Sequence, residues 1–447
     1  MLDDQLQPAA APRLVRSLGV MGVLFLTLSV ATPASSVFVI VPGMLQVAGT
    51  GAVWAMILAG VVCVATAFIY AELSSAWPVA GGEYVAVART LGPLAGFVML
   101  GVNVFNNLLF PPVAGLGISA VLATVMPGLP AVPVAAAVVA GSTLVALLNI
   151  RVNALVTGAF LAIEVLAILV VVGLGFADWA QDATRFLTAP VMPAASALVP
   201  ASPASIGLAA SIAIFALNGY GAAVYFGEEM LDAPQRIARA ILAALVLTLA
   251  FEVVPVIALL VSAQDLGAVL RSEDPFGQMV AARGGSGLGA AMALGVVVAI
   301  VNAIIACILA CARFFYGTAR DRSWGAPVDR WMASIHPRLG SPVVGTLVVG
   351  GVGVLSGTGL VAIYAGIALA AIVGRRTGAT AHAPYRMPLY PLAPIITLAA
   401  LGYIVWTSWL DLEEGRPGLL MTGAQIIGSA AYYWFVLRRR GPWQVQD

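Results

Sequence analysis

Apolar runs of about 20 residues recur along the whole chain, each long enough to cross a hydrocarbon core of about 30 Å as a helix. They lack the apolar-polar alternation of membrane β-strands, so a barrel is excluded. The pattern predicts spans at Leu18–Val41, Ala52–Trp77, Leu94–Val125, Val132–Ile150, Ala154–Phe176 and Ile206–Gly227. It continues with Ala238–Val261, Gly287–Tyr316, Val343–Gly357, Leu360–Gly374, Leu392–Trp409 and Leu419–Leu437. These make an all-α integral membrane protein with twelve transmembrane helices. The pair between Pro342 and Gly374 is short for two crossings, and one long tilted helix is the alternative.

Two spans are interrupted by polar and helix-breaking residues. The first carries Ala31-Thr32-Pro33-Ala34-Ser35-Ser36 at its centre, where the proline removes a backbone donor and crowds the preceding turn. The sixth carries Asn218-Gly219-Tyr220-Gly221, whose glycines cost about 1 kcal/mol each in a helix interior. Backbone freed in this way survives in a bilayer only where protein buries it or a wet cavity meets it. Each break falls in the first span of a five-span block, and five is odd, so the second block enters the membrane inverted. The pattern predicts a 5+5 inverted-repeat transporter with broken helices 1 and 6 plus two C-terminal helices. Paired interruptions of this kind mark a secondary transporter's substrate site. The expected divisions are a cytoplasmic tail at 1–16, a first repeat at 17–178 and an extracytoplasmic loop at 179–204. A second repeat at 205–376 and a closing pair of helices with the C-terminal tail at 377–447 follow.

Composition agrees with a bilayer protein: of 447 residues, 61% are hydrophobic and 9% charged, where about 25% charged is usual in soluble domains. The net charge of +1 and the scatter of basic residues imply no nucleic-acid partner. Every basic residue is arginine. Twelve crossings with a cytoplasmic amino terminus leave only Arg185, Arg271, Arg283 and Arg416 outside. A single crossing at 342–374 would send Arg375, Arg376 and Arg438 to Arg440 outside, which favours two short spans. Arg13 and Arg16 precede the first span with no small-residue cleavage signal after it, as in an anchor rather than a removed leader. Cys63, Cys307 and Cys311 fall inside spans and suit packing, so no metal or other cofactor is expected. Arginine without lysine, together with abundant Ala and Val, is the usage of a GC-rich bacterial genome. An inner membrane with both termini cytoplasmic is the corresponding expectation.

Four motifs in order resemble the amino acid-polyamine-organocation (APC) superfamily of permeases. They are Pro78-Val79-Ala80-Gly81-Gly82-Glu83-Tyr84 with Leu91 to Phe97, and Phe226 to Arg236 with Arg239-Ala240-Ile241. The others are Arg313-Phe314-Phe315-Tyr316 with Ala319-Arg320-Asp321, and Pro384 to Pro391. The chain departs from the family in the first break, where Pro33-Ala34-Ser35-Ser36 replaces Gly-Ser-Gly, and at Gly221, where members often carry Glu.

An amino acid zwitterion needs donors for its carboxylate and acceptors for its ammonium, and a broken helix exposes both. The backbone of Ala34, Ser35 and Ser36 is expected to hold the carboxylate, and carbonyls near Ala31, Phe215 and Ala216 the amine. Asn218 and Gly219 complete the candidate substrate site, and the resemblance implies an aromatic gate at Phe215. Glu164 and Glu252 lie deep in apolar runs, where acids are costly and functional by default. Glu164 occupies a place where relatives carry a sodium-replacing Lys and is the candidate proton site; Glu252 is a second intramembrane acid. Span eight lacks the Ser/Thr pair of sodium-coupled relatives. Glu228 and Glu229 with Arg89, Arg236 and Arg313 are the candidate cytoplasmic gate.

The expected function is a permease moving amino acids by alternating access, through proton symport or exchange. The alternative is an amine or polyamine carrier of the same fold, in which Glu164 or Glu252 meets the organic cation. An embedded enzyme is disfavoured because His336 and His382 lie in loops and the spans hold no catalytic cluster. A channel is disfavoured by the lack of a pore-lining repeat.

Overall fold

Apolar sequence in a bilayer leaves helices to pack by shape, because lipid removes most of the hydrophobic drive between them and small residues at crossings set how closely they approach. The computed structural model describes residues 14–123, 126, 128–194, 197–352, 360–410, 412 and 415–446. Arg13, with the rest of residues 1–13, and residues 353–359, which take in the end of the predicted span Val343–Gly357, lie outside the described residues.

The first predicted span is a broken rod: α1 (Val20–Ala31), a short α2 (Pro33–Ser35), a wide π-helical turn at Ser36–Ile40, and α3 (Val41–Ala48). The long α4 (Ala52–Ala76) follows, then α5 (Glu83–Leu91), α6 (Pro93–Ala123), α7 (Ala131–Ala146) and α8 (Ile150–Phe176). The predicted loop at 179–204 is more ordered than its sequence suggests. It contains α9 (Arg185–Thr188) and an antiparallel hairpin, β1 (Val191–Ala194) and β2 (Ala197–Pro200), with Val191 opposite Pro200. The protein is mostly helical, and this short hairpin is the one sheet among the described residues. A residue larger than glycine at position 49 would run into the Val191 carbonyl, so the hairpin seats directly on the end of α3.

The sixth predicted span is α10 (Pro203–Ala216), a break, and a 3₁₀ segment at Tyr220–Glu229. After it come α11 (Ala233–Ser262), α12 (Leu266–Arg271), α13 (Pro275–Gly284), α14 (Ser286–Arg320) and α15 (Ala326–Met332). The chain closes with α16 (Val343–Val352), α17 (Leu360–Thr377), α18 (Leu392–Leu410) and α19 (Gly415–Tyr432).

Eight helical stretches among the described residues are long and apolar enough to cross a membrane, and one of them, Val20–Ala76, contains both the broken first span and the second. At the centre, α1 and the 3₁₀ segment meet α11 and α14, flanked by α4 and α8. Close crossings fall at small residues: Gly175 of α8 lies against the Ala258 backbone of α11. The periphery is apolar and exposed, with Leu155, Leu166, Trp406 and Ile427 pointing outward as a lipid-facing surface.

Candidate functional site

The first break opens at Thr32. A residue before proline is pushed out of right-handed helix geometry, and Thr32 sits in the left-handed region at φ 43°, ψ 65°. That conformation costs a β-branched residue about 1–2 kcal/mol, so its surroundings must hold it. Its Oγ1 lies 3.3 Å from the Ala299 carbonyl of α14 and 3.5 Å from Glu164 Oε2 of α8, sharing one proton between two acceptors. The second break opens at Gly219, with φ 115°. A side chain there would overlap the Ala31 backbone, so only glycine lets the two interrupted helices touch. Ser36 Oγ spans the same crossing, donating to the Ala216 carbonyl at 3.2 Å. Ala31, Ser36, Ala216 and Gly219 are thus brought together and buried; Ala34, also buried, packs against Ile168 of α8 and Ala299 of α14, and Ser35 and Asn218 are half-buried. Phe215 is not brought in: it is 54% exposed, while Ala216 and Leu217 after it are buried.

Glu164 and Glu252 are both wholly buried, yet they differ in company. Glu164 accepts from Asn302 Nδ2 at 2.8 Å and lies near the Thr32 hydroxyl, and Asn302 also donates to Ser29 Oγ at 3.0 Å. One carboxyl therefore links α1, α8 and α14. Glu252 on α11 faces Ser36, whose hydroxyl is given to Ala216, and has no hydrogen-bond partner on either oxygen among the described residues. Thr248 Oγ1, one turn before it, is likewise unpartnered there. A buried acceptor left unmade costs about 1–3 kcal/mol, and more for a charged group.

Charged side chains gather at the end of the bundle where the 3₁₀ segment finishes. Arg313 of α14 grips Glu229 through Nε at 2.6 Å and Nη2 at 3.0 Å, and both side chains are essentially buried. The Glu229 carbonyl accepts from Ser17 and Leu18, which pins the lead-in to α1 against the same segment. Glu228 meets Arg320 and accepts from the Ala80 backbone at 2.8 Å. Arg320 also contacts Asp321, whose Oδ2 accepts from Tyr84 at 2.8 Å. Burial raises the Asp321 carboxyl above the usual carboxylate range, against the pull of Arg320.

Next to this network, Glu83 accepts from Tyr70 at 3.0 Å and from Asn103 and Tyr225 at 2.8 Å each, so three helical elements converge on one carboxyl. Burial pushes Glu83 upward too, opposed by these bonds. Of the other arginines expected in the gate, Arg236 pairs with Asp232 on its own helix turn and stands exposed, apart from the cluster. Arg89 lies on α5 beside Tyr433 and Trp443.

Three contributors are unmarked by the break pattern. Asn302 lies in a span whose Ser and Thr are absent, so its role shows only once α14 is placed. Arg320 shares a face with Arg313 seven residues earlier, a spacing that gives the signal but not the partner. Glu83 sits inside the Gly-Gly-x-Tyr motif, where its burial is not legible.

The amino acid permease family matches residues 18–430. Relatives include an uncharacterized transporter of Mycobacterium tuberculosis and another of Mycobacterium bovis, each 27% identical over 85% of this chain and 77% of the relative. The methylthioribose transporter of Bacillus subtilis is 22% identical over 87% of this chain and 86% of its own length. Crossing broken helices, a multi-pass apolar bundle and a match over nearly the full length lead to one conclusion: the chain belongs to the amino acid permease family of the APC superfamily and is a membrane transporter, not an enzyme.

Proposed function

We propose that the protein is a secondary transporter of amino acids, working by alternating access as a proton symporter or exchanger. Its substrate would sit at the crossing of the two breaks. The observation that carries this reading is the contact of Ser36 with Ala216 and of Gly219 with Ala31, which joins the interruptions of two blocks 185 residues apart in the sequence pattern. Twelve crossings in two inverted five-helix repeats and two further helices, in a bacterial inner membrane with both termini cytoplasmic, complete the reading.

Of the backbone donors expected at Ala34 to Ser36, those of Ala34 and Ser35 receive the carboxylate, since the Ser36 N–H is given to the Thr32 carbonyl; carbonyls near Ala31, Phe215 and Ala216 receive the ammonium, with Asn218 alongside. Glu164 carries the proton. As a carboxylate it accepts from Asn302; once protonated it gains a donor, so the contacts among α1, α8 and α14 must rearrange, which couples proton occupancy to helix position. The Arg313–Glu229 and Arg320–Glu228 pairs close the cytoplasmic end and part when it opens, with Arg89 of α5 a further cation of the gate.

A second reading has its own support: the unpartnered carboxyl of Glu252 beside Ser36 suits an organic cation, and then an amine or polyamine is the cargo. A thermal-shift screen of purified protein against the twenty amino acids, their decarboxylated amines, polyamines and methylthioribose separates these, since a ligand of the folded state raises the unfolding midpoint. Stabilisation by amino acids but not by their amines supports the first reading. Stabilisation by amines alone replaces it with the second.

A further inference from the structure

The last membrane helix leaves an apolar groove of about 530 Å³ against α6, lined by Phe105, Met421, Gly428, Tyr432 and, at one end, Trp324. Along α19 it runs from Met421 to Tyr432, roughly 17 Å at 1.5 Å per residue, which is close to one leaflet of a hydrocarbon core of about 30 Å. Its far end leads to Arg438, Arg439 and Arg440, all exposed. Arg440 donates to the Trp324 carbonyl at 3.2 Å, which fixes its guanidinium at the groove mouth. Arg438 lies over the Trp434 ring, 4.4 Å from its centroid. None of the three pairs with a carboxylate among the described residues.

We propose that this groove binds an anionic glycerophospholipid of the surrounding bilayer, one acyl chain lying between α6 and α19 and the phosphate on Arg438 and Arg440. The apolar length supplies one leaflet of chain contact. The unpaired arginines supply the charge complement, as basic pockets at membrane-helix ends do. A zwitterionic lipid fills the groove equally well but carries no net charge to meet them.

The test is to reconstitute the full chain in phosphatidylcholine vesicles containing phosphatidylglycerol, extract it, and count retained lipid by native mass spectrometry. Wild type is expected to retain phosphatidylglycerol in preference to phosphatidylcholine. R438Q/R440Q is expected to lose the preference, and Gly428→Leu to lose retention of both lipids. A Cβ at Gly428 meets nothing within 4 Å, and Leu is the better helix former, so that variant fills the groove without harming the fold. R375Q is avoided because Arg375 pairs with Glu72, and Arg376→Gln, which removes one exposed positive charge from α17, is expected to change nothing. Equal retention of the two lipids by wild type, a preference that survives both groove variants, or an equal loss in Arg376→Gln overturns the proposal.

Discussion

Glu83 offers the sharpest handle on a single residue. Among the described residues its side-chain partners are the neutral Tyr70, Asn103 and Tyr225, and burial raises its carboxyl above the ordinary value of about 4.3. The sign follows: a raised folded-state acid contributes stability in full below the unfolded value, and that contribution is lost as pH rises through the folded value. Wild type is expected to melt at progressively lower temperature over that window, and Glu83→Gln to show a flatter profile; equal slopes would remove Glu83 from the account. At the Arg313–Glu229 pair, deleting one partner strands the other in a dry site at about 3–5 kcal/mol. Arg313→Met is therefore expected to lower stability more than the double change with Glu229→Met, as read from unfolding in detergent. Glu252→Gln is expected to leave amino acid uptake intact and to abolish any response to amines.

Helices and breaks were legible to different depths. The proline at 33 and the glycines near 219 announce interruptions in the sequence, and the structure places both at one crossing, because freed backbone in a membrane must find protein. What the proline also implies, a strained residue just before it, makes Thr32 readable, whereas Asn302, which meets the same Glu164 carboxyl from α14, is not, since an isolated amide in an apolar span has no periodicity to betray which helix it faces. The hairpin at 191–200 is hidden by Pro193 and Pro200, residues that argue against strands except at edges. The charged end is half legible: Glu228 and Glu229 are plain, but Arg320 displaces the expected Arg236 because pairing depends on where α14 ends in space. At the element scale the decisive change is Gly219→Ala. Its Cβ overlaps Ala31 and its φ of 115° is strained for any L side chain, so a loss of more than about 1 kcal/mol is expected. Uptake should fall with it, while Gly402→Ala, at a glycine with open space, is expected to be silent in both measurements.

For the whole molecule, the two intramembrane acids stand at different joints. Glu164 ties α1 to α8 and α14, helices that come from both halves of the chain, so a proton on it bears on how those halves sit against each other. Glu252 faces the crossing from α11 and closes no such link among the described residues. On the proposed scheme coupling rests on Glu164 and recognition on the crossing of the breaks, so the response to a proton gradient is the property that tests the first alone. The measurement to make is amino acid uptake into proteoliposomes with and without an inward proton gradient, for wild type and Glu164→Gln side by side. Wild type is expected to accumulate substrate only with the gradient, and Glu164→Gln to retain exchange of internal for external substrate while losing the response to the gradient. A Glu164→Gln protein that keeps the full gradient response contradicts the assignment of the proton to Glu164.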